Sequence, residues 1–239
     1  MNILITGGAS GLGKAITERL LKNNPYKFLV SYNSSTAVVE EWKEKYPQIQ
    51  FAQCNFADQK SIASFLNVVE IFSPDILINN AHTGYEEKYF HKTDVLDIAR
   101  SFSHNVAATL QITAKCISVF RKKKSGRIVT ILSSVVAGNA PVGWSVYTAE
   151  KNYLLAMSKS WAIENAAFKI TSNSISPEFM QTNMTAGTDE RIVEQIIATH
   201  PLKQLLSISD VAEVVEFFLT CPLHINGTNL VINSAKNVI

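Results

Sequence analysis

Short apolar segments rich in β-branched residues alternate with longer amphipathic segments along the whole sequence. This alternation is typical of βαβ units, so it predicts a parallel sheet covered by helices on both faces. Seven strands are predicted, at residues 2–6, 27–32, 50–54, 76–79, 127–133, 171–175 and 229–232. We therefore expect an α/β protein with a doubly wound parallel sheet of about seven strands.

Apolar residues recur at helical spacing between the predicted strands. Leu12, Ala15, Ile16 and Leu20 share one face of a first helix. Further helices are predicted at residues 36–45, 60–72, 93–123, 144–168, 189–198 and 209–219. No repeat, low-complexity segment or linker divides the sequence, so residues 1–239 are predicted to form a single domain.

Composition argues against several classes of protein. The chain is 46% apolar and 18% charged, as globular proteins usually are. A net charge of +2 gives no basis for nucleic-acid binding, and no run approaches the roughly 18 apolar residues of a membrane span. The first residues lead directly into a strand, so we expect no secretory signal and a cytoplasmic location.

Three cysteines, Cys54, Cys116 and Cys221, are far apart and odd in number. They are predicted to be reduced and buried thiols rather than a disulfide framework. No histidine, cysteine or carboxylate cluster has the spacing of metal ligands, so no metal is predicted.

A glycine-rich turn joins the first predicted strand to the first helix, with Gly7, Ser10, Gly11, Leu12 and Gly13. Glycines at such a junction permit a tight turn, and the helix N-terminus offers unpaired N–H groups to a pyrophosphate. The context predicts a Rossmann fold that binds a dinucleotide. An ordinary glycine-rich loop is the alternative for this motif taken alone.

The end of the second predicted strand bears on which dinucleotide is used. An NAD enzyme places an acidic residue there, but this sequence has Tyr32, Asn33 and Ser34. With no carboxylate to repel a 2′-phosphate, NADP(H) is favoured over NAD(H), and Lys14 adds positive charge nearby. Ser10 argues the other way, because NADP-linked relatives often have a basic residue in that place.

Tyr147 and Lys151 are four residues apart on one face of a predicted helix, and Ser134 follows a predicted strand. Together with the glycine turn and the pair Asn80 and Ala81 after the fourth strand, this pattern resembles the short-chain dehydrogenase/reductase family over nearly the whole chain. The resemblance implies a NAD(P)-dependent oxidoreductase.

The family chemistry reduces a ketone with hydride from the cofactor and a proton from the protein. Tyr147 is the implied proton donor, and the Lys151 ammonium favours its phenolate and holds the nicotinamide ribose. Ser134 donates a hydrogen bond to the substrate oxygen, and it is preferred over Ser133 on its spacing to Tyr147. Asn105 is implied to anchor a water that relays protons toward Lys151.

The resemblance also implies further cofactor contacts. Residues of three segments are placed along the adenine, the adenosine ribose and the nicotinamide: Asn55, Phe56, Asn80, Ala81, Pro177, Phe179 and Thr182. Among family branches the sequence is most similar to β-ketoacyl-[acyl-carrier-protein] reductases. The implied substrate is a 3-oxoacyl thioester, presented on an acyl carrier protein, and the implied assembly is a homotetramer or homodimer.

Several positions depart from the family pattern. His82 and Glu178 stand where glycine is usual, and the segment Ile232-Asn233-Ser234-Ala235 replaces the usual glycine pair near the C-terminus. If His82 or Glu178 needed a positive φ, the local turn would be strained. These changes leave two alternatives open: action on another small carbonyl or alcohol, such as a sugar derivative or polyol, and a cofactor sensor or scaffold without turnover.

The basic run at residues 121–124 has two interpretations. It ends a predicted helix, where cations complement the helix dipole, and a solvated cap is the simpler one. The alternative is a docking site for an acidic carrier protein, since β-ketoacyl reductases resemble this chain in having basic residues before the fifth strand.

Overall fold

The computed structural model describes residues 1–23, 25–84, 86–182 and 185–236. Its seven strands are β1 (Asn2–Ile5), β2 (Lys27–Tyr32), β3 (Ile49–Gln53), β4 (Ile76–Asn79), β5 (Gly126–Ile131), β6 (Ile170–Pro177) and β7 (Asn229–Ile232). They form one parallel sheet in the order β3-β2-β1-β4-β5-β6-β7. The predicted fold class is confirmed.

Helices cover both faces of the sheet. They are α1 (Gly11–Asn23), α2 (Thr36–Lys45), α3 (Gln59–Phe72), α4 (Val95–Phe102), α5 (Ala108–Lys123), α6 (Ser145–Asn165), α7 (Glu190–Thr199) and α8 (Ile208–Thr220). Short 3₁₀ turns lie at Phe90–Lys92, Ser134–Ala137 and Ala166–Phe168. A π-helical turn, Ser103–Ala107, separates α4 from α5.

The predicted helix over residues 93–123 is present as an unbroken helical stretch over residues 95–123, with a π-helical turn at its centre that was not predicted. The π-helical turn widens the helix there, and it contains Asn105, whose side chain accepts hydrogen bonds from outside the helix. The widened turn moves an interior residue off the regular helical ladder, as π-turns at functional sites do. The fifth strand also stops earlier than predicted, at Ile131, because Ser133 caps a 3₁₀ turn.

Alternating residues of the central strands divide the core between the two faces. Ile3 and Ile5 pack toward α1 and α8, whereas Leu4 packs toward α3 and α5. All three side chains are fully buried, and each such burial stabilises the fold by roughly 1.5–3 kcal/mol. A strand that is apolar on both sides fits only a sheet covered on both faces.

Strand order reverses between β1 and β4, so their carboxyl ends flank an open crevice. Ligands of open α/β sheets bind in such a crevice. It is bordered by the loops after β1, β4, β5 and β6, which contain several of the predicted site residues.

The cysteines match the prediction: Cys54, Cys116 and Cys221 are buried free thiols. Burial raises the pKa of the Cys54 thiol to about 12, which keeps it protonated. In the part of the chain that the structure describes, no helix combines the length and the apolar character needed to cross a membrane.

Candidate active site

The glycine turn between β1 and α1 needs its glycines for two separate reasons. Gly7 and Gly11 adopt left-handed backbone conformations, with φ of 65° and 49°. Gly13 has an ordinary φ, but a Cβ there would overlap the carbonyl oxygen of Gly7. The turn therefore brings the first turn of α1, with its unpaired N–H groups and positive dipole end, to the crevice.

Neighbouring strands hold this turn in place. From β2, the Ser31 hydroxyl accepts the Gly7 N–H at 3.0 Å. After β4, the Asn80 amide donates to the carbonyl oxygen of Thr6 at 3.0 Å. The Thr6 hydroxyl in turn accepts the N–H groups of Asn80 and Ala81, both at 3.0 Å. The Asn80 side chain thus braces the turn, and it positions the cofactor cradle rather than extending into it.

The loop between β2 and α2 is open where an adenosine ribose would lie. Asn33 and Ser34 are exposed and Tyr32 is half-buried, and residues 31–35 contain no acidic side chain. Lys14 faces Glu18, with 3.9 Å between the ammonium and carboxylate. The loop therefore has no carboxylate that would repel a 2′-phosphate, and part of the Lys14 charge is balanced by Glu18.

The two predicted adenine contacts differ in their surroundings. Asn55 is exposed, and its side-chain oxygen accepts the N–H of Ala57 at 3.0 Å. Phe56 is only 5% exposed and packs in the core with Leu4 and Leu29. An adenine ring could therefore contact the side chain of Asn55, but it could contact Phe56 only through its backbone.

The segment after β6 reaches back to the glycine turn. Pro177 is buried at the end of β6, and Phe179 is partly buried just beyond it. A Cβ at Gly11 would lie 3.9 Å from the Cβ of Thr182. The Thr182 N–H donates to the Thr185 hydroxyl at 2.9 Å. Two predicted cofactor segments that are distant in sequence thus face each other across the crevice.

The elements that contain Ser134, Tyr147 and Lys151 pack together at the carboxyl end of β5. Tyr147 and Lys151 are buried side by side on α6, with the Lys151 ammonium 5.6 Å from the Tyr147 ring centroid. This ammonium donates to the carbonyl oxygen of Ile131 at 3.1 Å. Ser134 begins the 3₁₀ turn that packs against α6, while the Ser133 hydroxyl caps that turn. The capping role of Ser133 supports the choice of Ser134.

Burial and charge both act on the Tyr147–Lys151 pair. Burial lowers the pKa of Lys151 to about 8, and the Glu150 carboxylate opposes that fall. The ammonium therefore persists near neutral pH, where it favours a phenolate on Tyr147. The rings of His82 and Trp144 stand edge-on to Tyr147, at centroid distances of 5.2 and 5.7 Å, and limit its movement.

Asn105 is tied into the site by its side chain. Its oxygen accepts both the N–H and the hydroxyl of Thr83, each at 2.8 Å. Its amide donates to the Ser101 hydroxyl and the Glu150 carboxylate, each at 3.3 Å. These contacts join the loop after β4 to α4 and α6. A water relay through Asn105 stays a prediction.

The replaced glycines behave in two ways. His82 and Glu178 do not have positive φ, so neither strains its turn, whereas Ser234 and Ala235 do, with φ of 51° and 62°.

The Glu178 carboxylate accepts a hydrogen bond from His200 Nε2 at 2.6 Å, and both side chains are buried. The Leu202 N–H donates to Nδ1 of His200, which places the imidazole proton on Nε2.

Sequence reasoning missed Glu150, Ser101, Thr83 and His200. Glu150 had one available signal, because it lies inside the Tyr147-to-Lys151 spacing, where a carboxylate beside a buried lysine has an electrostatic effect. The other three are brought in by segments that are distant in sequence, and no local pattern marks them.

The basic run at residues 121–124 is mostly engaged in structural contacts. Arg121 donates to the Asn165 side chain at 2.7 Å. Lys123 donates to the carbonyl oxygen of Ser73 and to the Asp75 carboxylate, both at 2.7 Å. The run precedes β5, so it lies at the amino edge of the sheet, opposite the crevice. This position favours the helix-cap interpretation.

A cofactor crevice that leads to a buried tyrosine–lysine pair defines a nicotinamide-dependent oxidoreductase. The family model described as short chain dehydrogenase matches residues 1–192. The chain therefore belongs to the short-chain dehydrogenase/reductase family, whose enzymes depend on NAD(P).

Two named relatives and one solved structure are similar to this chain over most of its length. The chain is 31% identical over 237 residues to a 3-oxoacyl-[acyl-carrier-protein] reductase of Aquifex aeolicus, covering 94% of this chain and 95% of the relative. It is 28% identical over 216 residues to the acetoacetyl-CoA reductase of Cupriavidus necator, covering 88% and 87%. The solved structure of ElxO with NADP bound superposes with a TM-score of 0.86 at 25% identity, covering 98% and 97%.

Proposed function

We propose that the protein is an NADPH-dependent reductase that converts the ketone of a 3-oxoacyl thioester into a secondary alcohol. The observation that supports this most directly is the buried Tyr147–Lys151 pair beside Ser134, at the edge of the crevice. The similarity to a 3-oxoacyl-[acyl-carrier-protein] reductase and an acetoacetyl-CoA reductase supports the substrate class.

The protein's own groups have three tasks in this reaction. Ser134 donates a hydrogen bond to the carbonyl oxygen, where negative charge develops as the carbon is reduced. Tyr147 gives that oxygen its proton, and the Lys151 ammonium makes the phenol more acidic. When bound, the nicotinamide supplies the hydride. The N–H groups at the start of α1 and the loop after β2 would hold the cofactor's phosphates and ribose.

NADPH is proposed over NADH on electrostatic grounds. The loop after β2 exposes Asn33 and Ser34 and has no carboxylate to repel a 2′-phosphate. ElxO, which resembles this chain in structure, was solved with NADP. A Michaelis constant for NADPH at least tenfold below that for NADH is the expected result, and the opposite ratio would reverse the assignment.

Acyl carrier protein is proposed as the partner that presents the substrate, but not through residues 121–124. We also propose a homotetramer or homodimer, because Val95, Leu96, Tyr153 and Ile163 expose apolar surface on α4 and α6. Light scattering should give at least twice the mass of one chain, and a monomer would remove this part of the proposal.

A polyol or sugar derivative is a second candidate substrate because the cleft beside α7 contains several hydrogen-bonding side chains. Its volume is about 610 Å³, and besides Ala186 and Val193 it is lined by Gln181, Thr182, Thr185, Thr188, Glu190 and Glu194. Hydroxyl groups of a sugar would find hydrogen-bond partners there.

The test is NADPH oxidation with acetoacetyl-CoA, a longer 3-oxoacyl thioester, a ketose and a simple ketone. Tyr147→Phe should lower kcat at least about 100-fold with any true substrate. Tyr153→Phe is the matched control, since Tyr153 is an exposed tyrosine on the same helix. Preference for the ketose would favour the second candidate. Cofactor binding without turnover of any substrate would instead favour a sensor, and full activity of Tyr147→Phe would refute the mechanism.

A further inference from the structure

Glu150 is a buried carboxylate at the centre of the candidate site. Its side chain is 3% exposed, although it lies on α6 between Tyr147 and Lys151. The Ser101 hydroxyl donates to Oε1 at 2.6 Å, and the Asn105 amide donates to Oε2 at 3.3 Å. Hydrogen-bond donors from α4 and from the π-helical turn thus converge on one side chain of α6.

His82 approaches the same carboxylate from the loop after β4. Its Nδ1 accepts the Gly84 N–H at 3.1 Å, which places the imidazole proton on Nε2. Nε2 lies 3.3 Å from Glu150 Oε2, close enough for electrostatic attraction but outside hydrogen-bond geometry. Burial lowers the pKa of His82 to about 4, so near neutral pH the ring presents a polar N–H and no charge.

Among the described residues that face this cluster, Glu150 is the one whose negative charge balances the Lys151 ammonium. The loop after β4 brings His82, which is neutral, and α6 brings Tyr147 and Lys151. The π-helical turn brings Asn105, which cannot be charged. A buried ammonium is unfavourable without an opposite charge nearby, and Glu150 is the charged group that raises the pKa of Lys151.

We propose that Glu150 is a positioning residue of the reductase site. Its carboxylate accepts a hydrogen bond from Asn105 and attracts the His82 ring that packs on Tyr147, and its negative charge keeps Lys151 protonated during turnover. This inference rests on the proposed function, because it assigns Glu150 to the same tyrosine–lysine chemistry.

The alkaline limb of the pH profile of kcat is the readout that separates this role from simple packing. In ketone reduction, activity is lost when Tyr147 or Lys151 loses its proton. Removing a nearby negative charge lowers the pKa of both groups, so both effects move the limb in the same direction. We expect Glu150→Gln to move it toward lower pH by about half a unit or more.

Matched variants distinguish charge from shape. Glu164→Gln changes an exposed glutamate on the same helix and should leave the limb in place. Glu150→Asp keeps the charge on a shorter side chain, so kcat should fall while the limb stays near its wild-type position. A limb that does not move in Glu150→Gln, or that moves equally in Glu150→Asp, would overturn the electrostatic role.

A second variant covers the case in which Glu150→Gln does not fold. The double variant His82→Gly/Glu150→Gln keeps an acceptor for the Ser101 hydroxyl and removes the His82 N–H that the new amide would face. It should show the same shift of the limb. If neither variant folded, Glu150 would be a structural anchor and the proposal would be wrong.

NADPH binding gives a readout that does not depend on ketone reduction. The dissociation constant, measured by nicotinamide fluorescence, should rise with pH as the Lys151 ammonium is lost, and this rise should occur at lower pH in Glu150→Gln. If wild type reduced no ketone, the proposed function would fail while this measurement could still succeed. An unchanged binding profile in Glu150→Gln, with active wild type, would refute the Glu150 inference alone.

Discussion

Replacing Lys151 with methionine should change how the stability of the fold depends on pH. Burial lowers the pKa of Lys151 from its ordinary value of 10.5 to about 8. Between these values the unfolded chain binds a proton that the folded chain does not, so the wild-type free energy of unfolding rises with pH. The difference between the two pKa values is equivalent to about 3 kcal/mol. Lys151→Met lacks this rise because methionine does not titrate.

The assay is urea unfolding, followed by tryptophan fluorescence at fixed protein concentration, at several pH values from 7.5 to about 10.5. Wild type should gain about 3 kcal/mol relative to Lys151→Met across this range. The lost hydrogen bond to the Ile131 carbonyl oxygen adds a nearly constant difference and leaves the slope unchanged. Lys159→Met, at an exposed position on the same helix, should follow wild type. A constant difference between wild type and Lys151→Met would refute the argument.

Two further predictions concern the glycine turn and a buried pair. Gly13→Ala forces a methyl group into the Gly7 carbonyl and should raise the NADPH dissociation constant at least about 100-fold. Among the described residues, the methyl group of Gly11→Ala meets nothing closer than 3.9 Å, and this variant should destabilise unliganded protein by about 1 kcal/mol through its positive φ. Fluorescence titration would measure the dissociation constants, and urea unfolding would measure the stabilities. Equal effects of Gly13→Ala and Gly11→Ala on these two quantities would contradict the prediction. His200→Ala leaves the Glu178 carboxylate without its donor and should lower the free energy of unfolding in urea by about 3 kcal/mol. Glu178→Gln keeps an acceptor for His200 and should lower it by less than about 1 kcal/mol. Similar losses in the two variants would show that the His200–Glu178 contact does not cause the destabilisation.

Local patterns were sufficient to predict the sheet. Each strand is apolar on both faces or ends in a recognisable turn, so period and composition locate it within about two residues. The helix over residues 93–123 was also predicted, but not the π-helical turn at its centre, where Asn105 accepts hydrogen bonds from Thr83 on another segment. A single-sequence pattern contains no sign of that contact, because helical propensity continues through the turn.

The site shows the same division between local and distant causes. Tyr147 and Lys151 could be paired from their spacing on one helix face, and the glycine turn could be placed from its strand and helix. Phe56 was assigned to the adenine by its place in the sequence, yet its ring is drawn into the core by neighbouring strands. Whether a loop residue faces core or crevice depends on tertiary packing, which the spacing of residues along the chain does not specify.

The two replaced glycines next to the crevice have a common structural consequence. His82 contacts Glu150, which connects the loop after β4 to α6, and Glu178 binds His200, which connects the end of β6 to the end of α7. A glycine at either position has no side chain and could make neither connection. Neither position has a positive φ, so neither needs the backbone freedom of glycine. The side chain present instead makes a buried polar contact that restrains a wall of the crevice. Since each contact depends on its second residue, position 82 is coupled energetically to position 150 and position 178 to position 200. Double-mutant effects within each pair should therefore be non-additive, while effects between the pairs should add.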